Sequence, residues 1–218
     1  MAEWPPRTIE TVRIPDPIGY AEMLERQRAR HAEVAAGNAP NTLFLLEHTP
    51  VVTLGKDADR KHLLLDEAGY RDAGIELIET TRGGDVTYHG PGQLVAYPIL
   101  NLQHWKPSVG WYLRTLEAVL IDVLAGYGLN GERIEGLTGV WVGGAKVAAI
   151  GIGVRRWTTF HGIALNVNPN RTHFASVVPC GISDRPVTSL AILLGEAPPL
   201  NEVAGHFEGS FRERFGCA

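Results

Sequence analysis

Three segments of this 218-residue chain hold residue types capable of chemistry. The first is Val177-Val178-Pro179-Cys180-Gly181-Ile182, a thiol between a proline and a glycine. Such flanks hold a cysteine on a fixed, open backbone, which favours a nucleophile; elsewhere a lone cysteine is an inert, buried small hydrophobe. A thiol of pKa near 8.5 is only about 3% thiolate at pH 7, and a cation within ~4–6 Å lowers that pKa by roughly 1–3 units. Lys146, His89, His161 and His173 are the candidates for such a cation, so Cys–Lys and Cys–His pairs both stay open. Cys217, beside the terminus, reads as incidental.

The second segment is Arg82-Gly83-Gly84-Asp85-Val86-Thr87-Tyr88-His89-Gly90-Pro91-Gly92-Gln93. Its glycines allow backbone to approach a ligand and expose N–H groups to it, and Arg82 and His89 are donors for a carbonyl or anion. A hairpin turn whose glycines supply positive φ accounts for the same composition. The third segment is the strand opened by Lys146, Lys-Val-Ala-Ala-Ile-Gly-Ile-Gly-Val, small and apolar after its first residue. A lysine there is a solvated edge residue unless a partner gives it work. Gly151 and Gly153 weaken a strand and require a reason, such as close approach of an acyl or aromatic group. With Phe160–Val167 opposite, this strand walls a narrow hydrophobic slot. Gly143-Gly144-Ala145-Lys146 lacks the P-loop spacing and its Ser/Thr, so nothing calls for ATP. The eight histidines show no HExxH or paired CxxC spacing, and no metal is assigned.

Positioning these segments falls to short β runs and a few helices. Strands are expected at 8–14, 42–47, 51–54, 75–80, 86–89, 93–100, 139–142, 146–155 and 158–168, the last two hinged at Arg156-Trp157. A helix follows the capping pair Asp16-Pro17 over 18–36, where Arg26, Arg28 and Arg30 form a solvated face. The clearest helix spans 108–125, with Val109, Tyr112, Leu113, Leu116, Val119, Leu120, Val123 and Leu124 on one buried face. A short helix starts near Thr188. A final one starts near Leu200, where Val203, Phe207, Phe211 and Phe215 make a core stripe. The pattern is α+β: a mixed, largely antiparallel sheet or sheets covered by helices, without regular βαβ alternation.

Composition narrows the field. Charged residues are 20% and hydrophobic ones 44%, with net charge −4, so the chain is globular and carries no electrostatic footprint for nucleic acid. No apolar run approaches the ~18 residues that span a bilayer, and the N-terminus lacks a secretory pattern. Two cysteines make no disulfide framework. Residues 1–218 read as a single, soluble, cytoplasmic domain with no repeat or linker.

Taken together, these segments resemble the lipoyl(octanoyl) transferase family, relatives of the biotin and lipoate protein ligases. The resemblance covers His48-Thr49-Pro50-Val51-Val52-Thr53-Leu54-Gly55, Arg82–Gln93, Gly139-Val140-Trp141-Val142, Lys146–Gly151, His161–Asn166, Pro179-Cys180-Gly181 and Val187-Thr188-Ser189-Leu190. Asp85 stands where the family usually has Gln, and Thr138 where Pro commonly precedes Gly-Val-Trp-Val. The resemblance implies a biotin/lipoate protein ligase-like fold and octanoyl transfer from octanoyl-acyl carrier protein. The acceptor it implies is a lysine on lipoyl domains of 2-oxoacid dehydrogenase acyltransferase subunits and on the glycine-cleavage H protein. Cys180 would form the acyl-thioester, and Lys146 would lower its pKa and shuttle protons. Residues Arg82, Gly83, Gly84, Asp85, Val86, Thr87, Tyr88 and His89 match substrate-binding segments, as do Ala149-Ile150-Gly151 and Gly162-Ile163-Ala164. His89 and backbone N–H groups of the glycine segments are the expected oxyanion donors. Thioester exchange followed by thioester-to-amide conversion needs no ATP and no cofactor beyond the phosphopantetheine that the substrate carries. Arg155, Arg156, Arg171 and Arg185 are candidates for a basic rim toward acidic partners, or are ordinary solvated arginines. The competing readings are an ATP-dependent lipoate ligase, which needs no nucleophilic cysteine, a non-catalytic acyl- or carrier-binding module, and a Cys–His thioester hydrolase.

Overall fold

Short apolar runs become nine strands in a computed structural model that describes residues 7–178 and 185–216. Cys180 and Cys217 lie outside the described residues. The strands divide between two sheets. The larger has the order β1 (Ile9–Arg13), β2 (Asn41–Leu46), β6 (Gln93–Ile99), β9 (Thr158–Asn166), β8 (Ala145–Arg155), β7 (Val140–Val142); only β1 and β2 run parallel. The smaller has β3 (Val51–Leu54) between β4 (Glu76–Glu79), parallel to it, and β5 (Val86–His89), antiparallel. This is the expected α+β, mixed and largely antiparallel arrangement.

The period-2 alternation of strand side chains decides what covers each face of the larger sheet. Leu43, Leu45, Leu94, Ala96, Ile163 and Leu165 join the main core with α3 (Val109–Gly126) and α6 (Leu200–Phe215). Phe44, Leu46, Val95, Tyr97 and Ala164 point the other way, onto α1 (Tyr20–Ala35) through Met23 and Val34. The Val203, Phe207, Phe211, Phe215 stripe is buried as expected, with Phe211 and Phe215 rings 4.4 Å apart.

Several expectations need correction. Val109 is 42% exposed, because it sits at the first turn of α3, before the helix meets the core. Asp16-Pro17 does not cap α1. Ile18 is held extended by a bridge to His48, so Gly19 becomes the N-cap and no side chain caps it. Helices α2 (Glu67–Asp72) and α4 (Arg171–Phe174) escaped the pattern, being too short for a period to show; side chains of Asp66 and Asn170 cap them. Near Thr188 the helix, α5, is Leu190–Leu194, capped by Ser189. Gly143-Gly144, both at positive φ, is the two-residue turn joining β7 to β8. No described helix is long and apolar enough to cross a membrane.

Candidate active site

The glycine-rich segment is not a hairpin. β5 ends at His89 in the small sheet and β6 begins at Gln93 in the large one, so Gly90-Pro91-Gly92 turns the chain from sheet to sheet. His48-Thr49-Pro50 makes the same crossing between β2 and β3, and Gly92 N–H donates to Glu47 Oε1 across the two corners (2.6 Å). The seam between the sheets brings the His48 and His89 rings within 5.8 Å of each other.

A narrow cavity of about 50 Å³ opens at this seam. Its floor is the central part of β8 and β9. Three-residue β7 pairs only with Ala145–Ala148, which leaves the edge of β8 open beyond. Gly83 docks on that edge, its N–H donating to Ile152 O (3.1 Å). Glycine at 151 eases this contact: a Cβ there would stand 3.0 Å from Gly83 O and 3.2 Å from Arg82 Cδ, so the loop would have to give by a few tenths of an ångström. The close approach foreseen at Gly151 is therefore made by the protein's own loop. At Gly153 it is made by the ring of Phe160. The buried Arg82 side chain donates from Nε and Nη2 to Thr53 and from Nη1 to Gly83 O, pinning the loop to β3.

Three histidines border the cavity region, and burial keeps each neutral. His48 is pushed down to about 4; its Nδ1 donates to Ile18 O and its Nε2 accepts from the Tyr97 hydroxyl, both at 2.8 Å. His89 is pushed down to about 3 by burial, then by the neighbouring His48, Arg82 and His161. His161 falls to about 3 through burial, then through Arg82, Arg28 and Lys56. His161 also has a left-handed backbone (φ 58°) inside β9, with its N–H donating to Gln27 Oε1 (2.8 Å). Non-glycine residues adopt that conformation uncommonly and mostly in turns, as Arg156 and Trp157 do at the β8–β9 hairpin, so its place inside a strand is unusual.

At the start of β8 the register slips. Trp141 pairs with Lys146 but Val140 pairs with Ala148, so Val147 is an extra, bulged residue. Adjacent Val147 and Ala148 consequently both enter the main core. The bulge turns Lys146 to the opposite side, shared with Ala149 and Gly151. Its Nζ lies 5.2 Å from the Trp141 ring centroid, and the residue is 8% exposed, not a solvated edge lysine. Gly139, at φ 129°, makes room for it: a Cβ there would come within 2.8 Å of Lys146 Cε. Main-chain bonds tie Lys146 to the chain beyond Cys180, with Lys146 N–H to Pro186 O (2.8 Å) and Thr188 N–H to Lys146 O (2.9 Å). A second cavity of about 370 Å³, lined in part by Arg171, Val178, Arg185 and Thr188, adjoins this segment.

Of the expected binding residues, Arg82, Gly83, Gly84, Thr87, His89, Ala149, Ile150, Gly151, Gly162, Ile163 and Ala164 line the seam cavity together. Val86 and Tyr88 do not: strand alternation sends them into the small sheet's core. Asp85 is also elsewhere, accepting the Asp59 N–H (3.0 Å) and contacting His62. Cys180 falls outside the described residues. Three lining residues were not foreseen as binding groups: Tyr20, Tyr97 and His161. The tyrosines reach the site from α1 and β6 without any local signal, whereas His161 opens the matched His161–Asn166 run and was foreseen only as a candidate partner of Cys180. The four rim arginines do not form one rim. Arg171 and Arg185 border the 370 Å³ cavity, while Arg155 and Arg156 sit at the β8–β9 hairpin tip beside α1.

Comparison with known proteins converges on one family. A family model, lipoyl protein ligase A/B catalytic domain, matches residues 19–212. An octanoyltransferase of Gloeobacter violaceus is 55% identical over 180 residues, covering 82% of this chain and 78% of the relative. One from Solibacter usitatus is 49% identical over 198 residues, covering 91% and 89%. Among solved structures, a lipoate-protein ligase A bound with ATP has a TM-score of 0.80 at 16% identity, covering 96% of this chain and 85% of that one. A putative lipoate protein ligase from T. acidophilum with bound lipoic acid reaches 0.77 at 17%, covering 97% and 86%. Likeness at such low identity concerns the fold. Membership follows from the sequence match, which runs through nearly every element described above: this chain belongs to the lipoyl protein ligase A/B catalytic-domain family.

Proposed function

We propose that this chain is an octanoyltransferase that moves an octanoyl group from acyl carrier protein to a lysine of lipoyl domains, through a Cys180 thioester. The observation that carries this reading is the 49–55% identity, over most of both chains, with proteins named octanoyltransferase. The reading treats residues 1–218 as one catalytic domain, in the reducing cytoplasm where a free thiol persists. It requires neither metal nor ATP. The acceptors are the acyltransferase subunits of 2-oxoacid dehydrogenases and the glycine-cleavage H protein.

In the first half-reaction the Cys180 sulfur attacks the donor thioester carbonyl as Lys146 draws off its proton. The C–S bond to the phosphopantetheine arm breaks, and the departing sulfur takes the proton back. In the second, the acceptor lysine nitrogen attacks the acyl-cysteine. An amide bond forms, the bond to the Cys180 sulfur breaks, and Lys146 carries the proton from nitrogen to sulfur. The bulge supports this role by turning Lys146 toward the side of β8 that carries Ala149 and Gly151. The cavity, apolar over most of its wall and with the Arg82 guanidinium bonded to Thr53 and Gly83, suits an uncharged acyl chain.

Intact-mass spectrometry after mixing with octanoyl-acyl carrier protein, without ATP, tests the reading. Wild type should gain one octanoyl group that a lipoyl domain discharges, and Cys180→Ser should gain none that does so. A requirement for ATP with activity surviving in Cys180→Ser would replace the transferase by a ligase; release of free octanoate would replace it by a hydrolase.

A further inference from the structure

His89 has a proton whose place can be worked out from its neighbours. Among the described residues its one hydrogen bond runs from Nδ1 to Gln93 Oε1, 3.0 Å away. An amide oxygen only accepts, so the orientation of Gln93 decides the matter. That orientation is forced from behind. Asn166 Nδ2 donates to Thr188 O (3.0 Å), a carbonyl that cannot donate, which turns Asn166 Oδ1 toward Gln93. Gln93 Nε2 donates to that oxygen (2.9 Å) and to a second carbonyl, Tyr88 O (3.1 Å). With its NH₂ committed twice, Gln93 presents its oxygen to His89, and Nδ1 holds the hydrogen. In a neutral ring Nε2 is then a bare lone pair.

We infer that Gln93 and Asn166 are positioning residues that hold His89 as a hydrogen-bond acceptor, so that Nε2 receives an N–H of the bound substrate instead of stabilising an oxyanion. This rests on the transferase reading above and replaces the donor role expected from the sequence. The N–H belongs to an amide of the carrier's arm or to the attacking lysine nitrogen. The surroundings keep the ring uncharged. Tyr20 of α1 stacks on it at 6.3 Å, and His48, Arg82 and His161 lie around it. Tyr97 and Gln93 approach from β6, and β8 contributes only Ala149, Ile150 and Gly151 to the cavity wall. No carboxylate lines this cavity among the described residues. The relay ends at Thr188, whose N–H is bonded to Lys146 O, so one residue anchors both the histidine tautomer and the lysine strand.

Two measurements test the inference. Nitrogen-15 NMR of the histidine-labelled full-length protein, with His89 assigned from the His89→Gln spectrum, should show Nδ1 protonated and Nε2 bare from pH 6 to 8. A protonated Nε2 overturns the inference. Gln93→Glu places a carboxylate against Nδ1, which favours the imidazolium and turns Nε2 into a donor. Its kcat/KM, taken as a ratio to wild type at the same pH, should be about tenfold low at pH 6 and recover as the pH rises to 8. Single-turnover assays locate the N–H: slower acylation of the enzyme identifies the carrier's arm, and slower discharge the lysine nitrogen. Unchanged or faster turnover at pH 6 overturns the acceptor role, since an oxyanion donor gains from the extra charge. Wild-type octanoyl transfer with a protonated Nε2 would sink this inference alone; wild type without transfer would sink the function and leave the tautomer result standing.

Discussion

At Lys146, strand β8 carries a buried amino group beside Trp141, and its main chain is bonded to Pro186 and Thr188. Five residues later, roughly 13 Å along the strand once the bulged residue is discounted, Gly151 has no side chain and the Arg82-Gly83 loop lies against its backbone. The first end offers a movable proton. The second offers small, apolar surface, with its histidines stripped of charge by burial and the Arg82 guanidinium bonded to Thr53 and Gly83. On the proposed function, one strand separates bond-making from chain recognition, and changes at its two ends should have different kinetic signatures.

The largest effect belongs to the Lys146 end. Lys146→Met keeps the packing of the stem and removes the amino group; octanoyl transfer should fall about a hundred- to ten-thousand-fold, as losing a general acid–base does. A drop confined to KM, read from steady-state kinetics, would break the division. At the neutral end the strongest response is in stability. His48 is held near 4, and His89 and His161 near 3, against about 6.5 when unfolded. Between those values the unfolded chain binds protons that the folded chain refuses. Stability is therefore full above pH 6.5 and lost as pH falls, by up to about 1.4 kcal/mol per pH unit for each histidine. Thermal melts should show Tm falling from pH 7.5 to 5; a flat Tm would mean that these rings are not buried neutral.

A smaller effect concerns chain length. Each buried CH₂ contributes about 0.8 kcal/mol, so a hexanoyl donor should be used roughly 15-fold less well than octanoyl. Gly151→Ala pushes on Gly83 and Arg82 and should shrink that preference, read as a ratio of kcat/KM values. An unaltered ratio would remove this end from chain recognition. The smallest effect tests the surface. Reversing Arg171 and Arg185 to Glu, beside the cavity near Thr188, should slow transfer from carrier protein severalfold at low salt. Reversing Arg155 and Arg156, at the far tip of β8, should slow it less. Equal responses would argue for a docking face spanning both.

How the site was legible differs residue by residue. Arg82, Gly83, Gly84, Thr87 and His89 stood out as a glycine-rich stretch bracketed by two donors, but a turn explained the same composition, and it was the resemblance that marked them as binding residues. Val86, Tyr88 and Asp85, drawn from the same stretch, point elsewhere, since a strand sends neighbours to opposite faces and the motif does not say which face is wet. Tyr20 and Tyr97 escaped because their role arises from the seam between two sheets, which no local pattern encodes, while His161 was foreseen only as a candidate partner of Cys180 and not as a cavity wall. His89 was visible as a residue but not as an acceptor: the proton's position depends on Gln93, Asn166 and Thr188, the last two 77 and 99 positions away (166 − 89 and 188 − 89).

By itself the amino-acid sequence determined the strands and long helices, the family, the core stripe of the last helix and the lysine able to carry a proton. The elements and the stripe depend on side-chain period, turn chemistry and residue type, which act within a few positions; the family rests on the resemblance of motifs spread from His48 to Leu190. Only the tertiary structure decided that a bulge at Val147 turns Lys146 across the strand, that two corners rather than a hairpin bring His48 to His89, and which ring nitrogen of His89 bears hydrogen. Register between strands and the direction of a hydrogen bond are set by partners distant in the chain, and they exist only once those partners have met.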